Sequence, residues 1–194
     1  GIMGGTHAEQ TGKIMIAFEK ICLREDPTLV IVAGDVNSTV ACALVAAKLK
    51  VLVAHVESGL RSFDKSMPEE INRIATDHIS DFLFTTEESA NQHLIKEGIN
   101  KSKIFFVGNC MIDTLKKFLP IASKRKPWLK YGLKIRGYNV VTMHRPSNVD
   151  NPLMLNKLCN TINDISKNKI TVFPIHPRTQ KRVNEQNIKL HNNI

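Results

Sequence analysis

The chain has 194 residues, 42% hydrophobic and 23% charged, which supplies a packed core and excludes a disordered composition. No run of about 18 apolar residues occurs, so no membrane-spanning helix is expected. The formal charge of +9 is split: residues 1–100 hold 9 Lys and Arg against 14 Asp and Glu, net −5, and residues 101–194 hold 18 against 4, net +14. With no aromatic interleaving and no known motif, that sum does not imply a nucleic-acid partner.

The predicted elements alternate between helix and strand. Thr6 and Glu9 form a capping box, opening a helix whose apolar face includes Ile14, Phe18 and Ile21. The β-branched run Leu29 to Ala33 reads as a strand buried on both faces. Asn37 or Ser38 caps a helix through Leu49, and Val51 to Val56 is a second buried strand. Ser66 to Glu69 reads as another capping box with Pro68 in the first turn, opening a helix to about Ile79. Phe82 to Phe84 is a third strand, followed by a helix ending near Gly98. Ile104 to Val107 is a fourth strand, and Asp113 begins a short helix. Residues 120–138, with Pro120, Pro127 and many Lys and Arg, read as a basic linker between domains at 1–119 and 139–194. Beyond it, Val140 to Met143 is a strand, 152–167 a helix, Ile170 to Ile175 a strand, and Pro177 opens a helix. The alternation implies parallel sheets covered by helices.

Cys22, Cys42, Cys110 and Cys159 include no CxxC pair, which argues for a reducing compartment and against a metal site or disulfide scaffold. Residues 1–5 show no signal peptide. The glycine-rich start and the uncapped end, Leu190 to Ile194, read as a chain cut at both ends.

Polar residues recur where predicted strands end, which is where parallel sheets bind ligands. Asp35 follows Gly34, Glu57 follows Val56, His144 and Arg145 follow Met143, and His176 follows Ile175. Taken singly, each is as well explained as a turn or structural residue; together they point to a site. Glu69 has a local explanation too, as the reciprocal carboxylate of the Ser66 box or as a partner of Arg73, which Asp77 also reaches at helical spacing. His55 alternates with Glu57 along the strand, so both are expected on one face. The turn from Gly34 to Thr39 enters a helix and suits an anion, yet it is no Walker loop, and no GxGxxG, HExxH or GxSxG occurs. Carboxylates beside cationic and imidazole groups suit proton transfer on an anionic substrate.

The segments Gly5 to Thr11, Gly34 to Thr39, His55 to Ser62, Met67 to Arg73, Val107 to Asn109, His144 to Asp150 and His176 to Arg178 resemble the non-hydrolysing UDP-N-acetylglucosamine 2-epimerases, in order across nearly the whole chain. The resemblance implies an α/β, glycosyltransferase-B-like fold of two Rossmann-like domains, here incomplete at both termini. It implies reversible C2 epimerisation between UDP-N-acetylglucosamine and UDP-N-acetylmannosamine without a cofactor or metal, through UDP elimination and a 2-acetamidoglucal. It further implies a cytoplasmic homodimer serving surface polysaccharide synthesis, without nucleic-acid or membrane partners. Asp35, Glu57, Glu69 and His144 match the family's catalytic positions, and Arg73, Arg145 and His176 match positions linked to the UDP-sugar. Val36 stands where the family usually has Thr, and Ser147 where many members have Glu. Those departures, with the family's first strand and a later nucleotide-cradling segment absent, imply weak or no activity. The alternative is a catalytically silent UDP-sugar-binding module.

Overall fold

The structure is a computed structural model that describes Ile2 and residues 4–194. Gly1 and Met3, part of the glycine-rich start, lie outside the described residues. The chain divides into two compact units, Gly1–Phe118 and Leu119–Ile194. Among the described residues no helix is long and apolar enough to cross a membrane.

The first unit is built on a four-stranded parallel sheet, ordered β1 (Leu29–Ala33), β2 (Leu52–Ser58), β3 (Phe82–Thr85) and β4 (Ile104–Phe106). Helices α1 (His7–Glu25), α2 (Asn37–Lys48), α3 (Pro68–Ile79) and α4 (Glu88–Lys96) alternate with these strands. The α/β, parallel-sheet class expected from the alternation is therefore the one observed. Val30, Val32 and Val53 pack with Cys22 of α1 and Val45 and Ala46 of α2 to form the core. Burial pushes the Cys22 and Cys42 thiols up in pKa.

Several local expectations need correction. β1 is an edge strand and only one of its faces is covered: Leu29 is 40% and Ile31 65% exposed. An unbroken apolar run describes both faces of a strand without saying what lies over them. Ile21 is exposed, and Cys22, one position on, faces the core instead. Neither Asn37 nor Ser38 caps α2. Val36 holds the cap position with no side-chain bond, and the first turn is closed by the Thr39 amide donating to Val36 O. The Ser66 box does not form either: the Ser66 hydroxyl donates to Asp64 Oδ1 at 2.6 Å, and Met67 occupies the cap of α3. The Thr6 box does form, with both reciprocal bonds.

Helix α5 (Cys110–Arg125) starts three residues before Asp113, because Asn109 Oδ1 accepts the Met111 amide. It also runs through Pro120, whose ring removes one helical donor without stopping the flanking helix formers. Residues 120–125, expected as linker, are thus helical, and Pro127–Tyr131 forms a 3₁₀ turn.

In the second unit, β5 (Asn139–Val140) and β6 (Thr171–Val172) pair in parallel, joined through α6 (Pro146–Val149) and α7 (Pro152–Ser166), with α8 (Pro177–Glu185) following. Both strands are shorter than expected. Met143, Val149, Leu155, Cys159, Ile162 and Val183 form this unit's core. The closing stretch is tied down although its sequence carries no capping signal: the Thr171 amide donates to Asn193 O, and Ile188, Leu190 and Ile194 pack on the core.

Candidate active site

Asp35 leaves β1 through Gly34, whose φ of +68° needs a residue tolerant of the left-handed region. Glu57 sits at φ +69° where the β2–β3 register shifts between Val56 and Ser58. This bulge breaks the alternation that was expected to place His55 and Glu57 on one face. Because β1 and β2 are parallel neighbours, their carboxyl ends lie side by side, and a Cβ on Gly34 would come within 3.9 Å of Glu57 Oε2. The Glu57 carboxylate therefore lies against the turn that carries Asp35.

Arg73 of α3 ties the site together. Its guanidinium donates to Asp35 Oδ2 and to Glu70 Oε2. It does not pair with Glu69 or Asp77, as helical spacing alone had allowed. Glu70 is buried and accepts the Ser62 and Phe63 amides at 3.0 and 2.9 Å. Burial raises its pKa, but those backbone bonds, the Ser62 side chain and the Arg73 charge outweigh burial and hold the carboxyl below its ordinary range. Stability from Glu70 is accordingly present above the ordinary carboxylate range and lost as pH falls through and below it. Glu70→Gln is expected to flatten the acid limb of unfolding while lowering stability at neutral pH, read by circular dichroism in urea across pH 3–7.

With the Ser66 box absent and Arg73 engaged elsewhere, Glu69 lines a cleft of about 730 Å³ together with His7, Gln10, Asn37, Ser38 and Asn72. A polar network runs along the cleft. Asn72 Nδ2 donates to Asp35 O at 3.0 Å and to Asn37 Oδ1, Asn37 Nδ2 donates to Gln10 Oε1 at 3.0 Å, and His7 Nδ1 lies 3.2 Å from Asn37 Oδ1. Val36 lines the same cleft. The strand-end pattern does not reach Asn37, Glu70 or Asn72, although Asn37 lies in the Gly34 to Thr39 segment and the other two in the Met67 to Arg73 segment.

In the second unit His144 and His176 come together, ring centroids 5.8 Å apart. His176 caps α8 through Nδ1, which accepts the Arg178 amide at 3.2 Å. Arg145 occupies the cap position of α6. Arg178 binds Asp150 through two donors and, with Arg182, holds the Asp150 carboxyl below its ordinary range. Each unit thus carries its own group of expected site residues: Asp35, Glu57, Glu69 and Arg73 in the first, His144, Arg145 and His176 in the second.

Residues 2–194 match the family model for UDP-N-acetylglucosamine 2-epimerase, and the chain belongs to that family. It is 46% identical to the UDP-N-acetylglucosamine 2-epimerase of Methanococcus maripaludis, an alignment covering 99% of this chain and 54% of that protein. It is 42% identical to the UDP-2,3-diacetamido-2,3-dideoxy-D-glucuronate 2-epimerase of Pseudomonas aeruginosa, over 97% of this chain and 53% of that one. Its fold is similar to the crystal structure of the Methanocaldococcus jannaschii UDP-GlcNAc 2-epimerase in complex with UDP-GlcNAc and UDP: TM-score 0.82, 47% identity, covering 95% of this chain and 52% of that one. The chain spans about half the length of the relatives it matches.

Proposed function

We propose that this chain carries the acid–base machinery for reversible C2 epimerisation of UDP-N-acetylglucosamine to UDP-N-acetylmannosamine. The observation that supports it best is the convergence of Asp35 and Glu57 at adjacent strand ends; Glu69 lines the cleft that Val36, Asn37 and Ser38, directly after Asp35, also line.

The chemistry requires such a set. The C2 proton of the sugar is not acidic while C1 keeps its diphosphate, because C2 bears nitrogen and no carbonyl. As the C1–O bond breaks, its electron pair leaves on UDP and positive charge develops at C1. The C2–H bond pair then forms the C1=C2 double bond and a carboxylate takes the proton, giving 2-acetamidoglucal and UDP. Return of a proton to C2 from the opposite face, with UDP adding back to C1, yields the epimer. Inversion needs proton-bearing groups on both faces, which one carboxylate does not supply. We assign proton transfer to Asp35, Glu57 and Glu69, with Arg73 donating a hydrogen bond that orients the Asp35 carboxylate. We assign His144, Arg145 and His176 to the departing diphosphate, where cationic and imidazole groups offset developing charge. In this reading the reaction needs no cofactor, and the chain serves cytoplasmic synthesis of surface polysaccharide as part of a homodimer.

The test is incubation with UDP-N-acetylglucosamine in D₂O, followed by NMR. Deuterium at C2 with some UDP-N-acetylmannosamine, at a rate well below that of the Methanocaldococcus jannaschii relative, is expected. UDP binding with no C2 deuterium establishes the silent binding module instead.

A further inference from the structure

Behind the carboxylates lies a buried polar network that the proposed chemistry does not use. Asp77 of α3 is 1% exposed and accepts three hydrogen bonds. Its Oδ1 lies 2.7 Å from His55 Nδ1, and its Oδ2 accepts the Gly59 amide at 3.1 Å and Arg61 Nη1 at 2.7 Å. His55, fully buried on β2, presents its other nitrogen to Gly34 O at 2.8 Å. Arg61 continues outward to both Glu97 oxygens. So one carboxylate grips two stretches of backbone. Through His55 it holds the Gly34 carbonyl, directly before Asp35; through the Gly59 amide it holds the strand end two residues after Glu57. Both stretches sit in left-handed conformations, Gly34 at φ +68°, Glu57 at +69° and Gly59 at +77°; the glycines adopt it freely, but at Glu57 such backbone persists only where its surroundings impose it.

We infer that Asp77, acting through His55 and the Gly59 amide, is the positioning residue that sets Asp35 and Glu57 relative to each other. Resting on the epimerase reading, it adds a pair that touches no substrate yet governs the rate. Burial makes the pair stringent, since a buried acceptor that loses its donor has no water to replace it. A glutamine at 55 donates from one nitrogen only and cannot span Asp77 and Gly34 O together.

The test compares His55→Gln and Asp77→Asn with Glu97→Gln, which cuts the far end of the network and leaves the grip on both backbone stretches intact. Hydrogen–deuterium exchange is measured by peptide, and C2 deuterium incorporation by turnover number and KM. In His55→Gln, amide exchange is expected to rise about tenfold in peptides spanning 33–37 and 56–60 and to stay unchanged elsewhere. Turnover is expected to fall roughly 10²-fold with KM nearly constant. Glu97→Gln is expected to leave both readouts as they were. Asp77→Asn is expected to behave as His55→Gln; if it fails to fold, His55→Gln decides alone. Uniform loosening of the chain, or turnover in His55→Gln matching Glu97→Gln, overturns the inference. If the unmodified chain places no deuterium at C2, the epimerase reading falls, and the amide exchange still decides whether the network fixes these two turns.

Discussion

Glu57→Gln is expected to reduce C2 deuterium incorporation by roughly 10²–10⁴-fold, the span that removal of a positioned acid–base group costs. UDP affinity is expected to change little, because the substitution preserves shape and, among the described residues, the Glu57 side chain makes no hydrogen bond. Asp35→Asn is expected to lose a similar factor. There the amide also weakens the bond from Arg73, so Glu70 becomes the only full charge left on that guanidinium. The two variants therefore separate differently. Glu57→Gln lowers turnover alone, while Asp35→Asn also disturbs the Arg73–Glu70 pair and with it the backbone of Ser62 and Phe63 that Glu70 holds. Steady-state exchange at saturating substrate, with UDP titration calorimetry on the same samples, reads both effects. Full retention of exchange in Glu57→Gln removes that residue from the mechanism.

The legible parts of this molecule are those written in short-range pattern. The Thr6 box, the Pro68 and Pro177 helix starts and the four strand runs of the first unit each depend on residues a few positions apart, and each is observed. The strand-end rule also located Asp35 and Glu57 at neighbouring ends of one sheet. What local pattern could not carry was competition between partners. Ser66 had a carboxylate at Asp64 to donate to as well as a helix amide to accept from, and its hydroxyl bonds to Asp64. Arg73 had Glu69 within helical reach, yet bonded to Asp35, 38 residues away, and to Glu70. Asp77 looks like one more polar residue on a helix, and its importance rests on partners 16 to 22 positions distant. The +9 charge was the least informative number: the candidate carboxylates Asp35, Glu57 and Glu69 lie in the acidic half, and His144, Arg145 and His176 in the basic half.

Gly59→Ala carries the largest expected loss of stability, and the geometry isolates its cause. A Cβ at Gly59 would stand 2.6 Å from Ala90 O and 3.0 Å from Ala90 Cβ, in the first turn of α4. That neighbour is fully buried, and the oxygen it meets is backbone, so no flexible side-chain end can swing aside. Gly108, at φ +83°, shares the left-handed backbone but has nothing within 4 Å of an added Cβ. Gly108→Ala therefore measures the conformational cost alone, about 1–2 kcal/mol. Gly59→Ala adds the clash, a further 1–3 kcal/mol on the scale of overpacked cores, for a total of roughly 2–5 kcal/mol. The extra methyl also pushes on the amide that Asp77 accepts, so the loss should extend beyond stability to Glu57, two residues back. Urea midpoints of the two variants, measured side by side, are expected to differ in this order. Equal midpoints would mean that α4 yields to the methyl, and that the close approach of Gly59 to Ala90 does not constrain the end of β2.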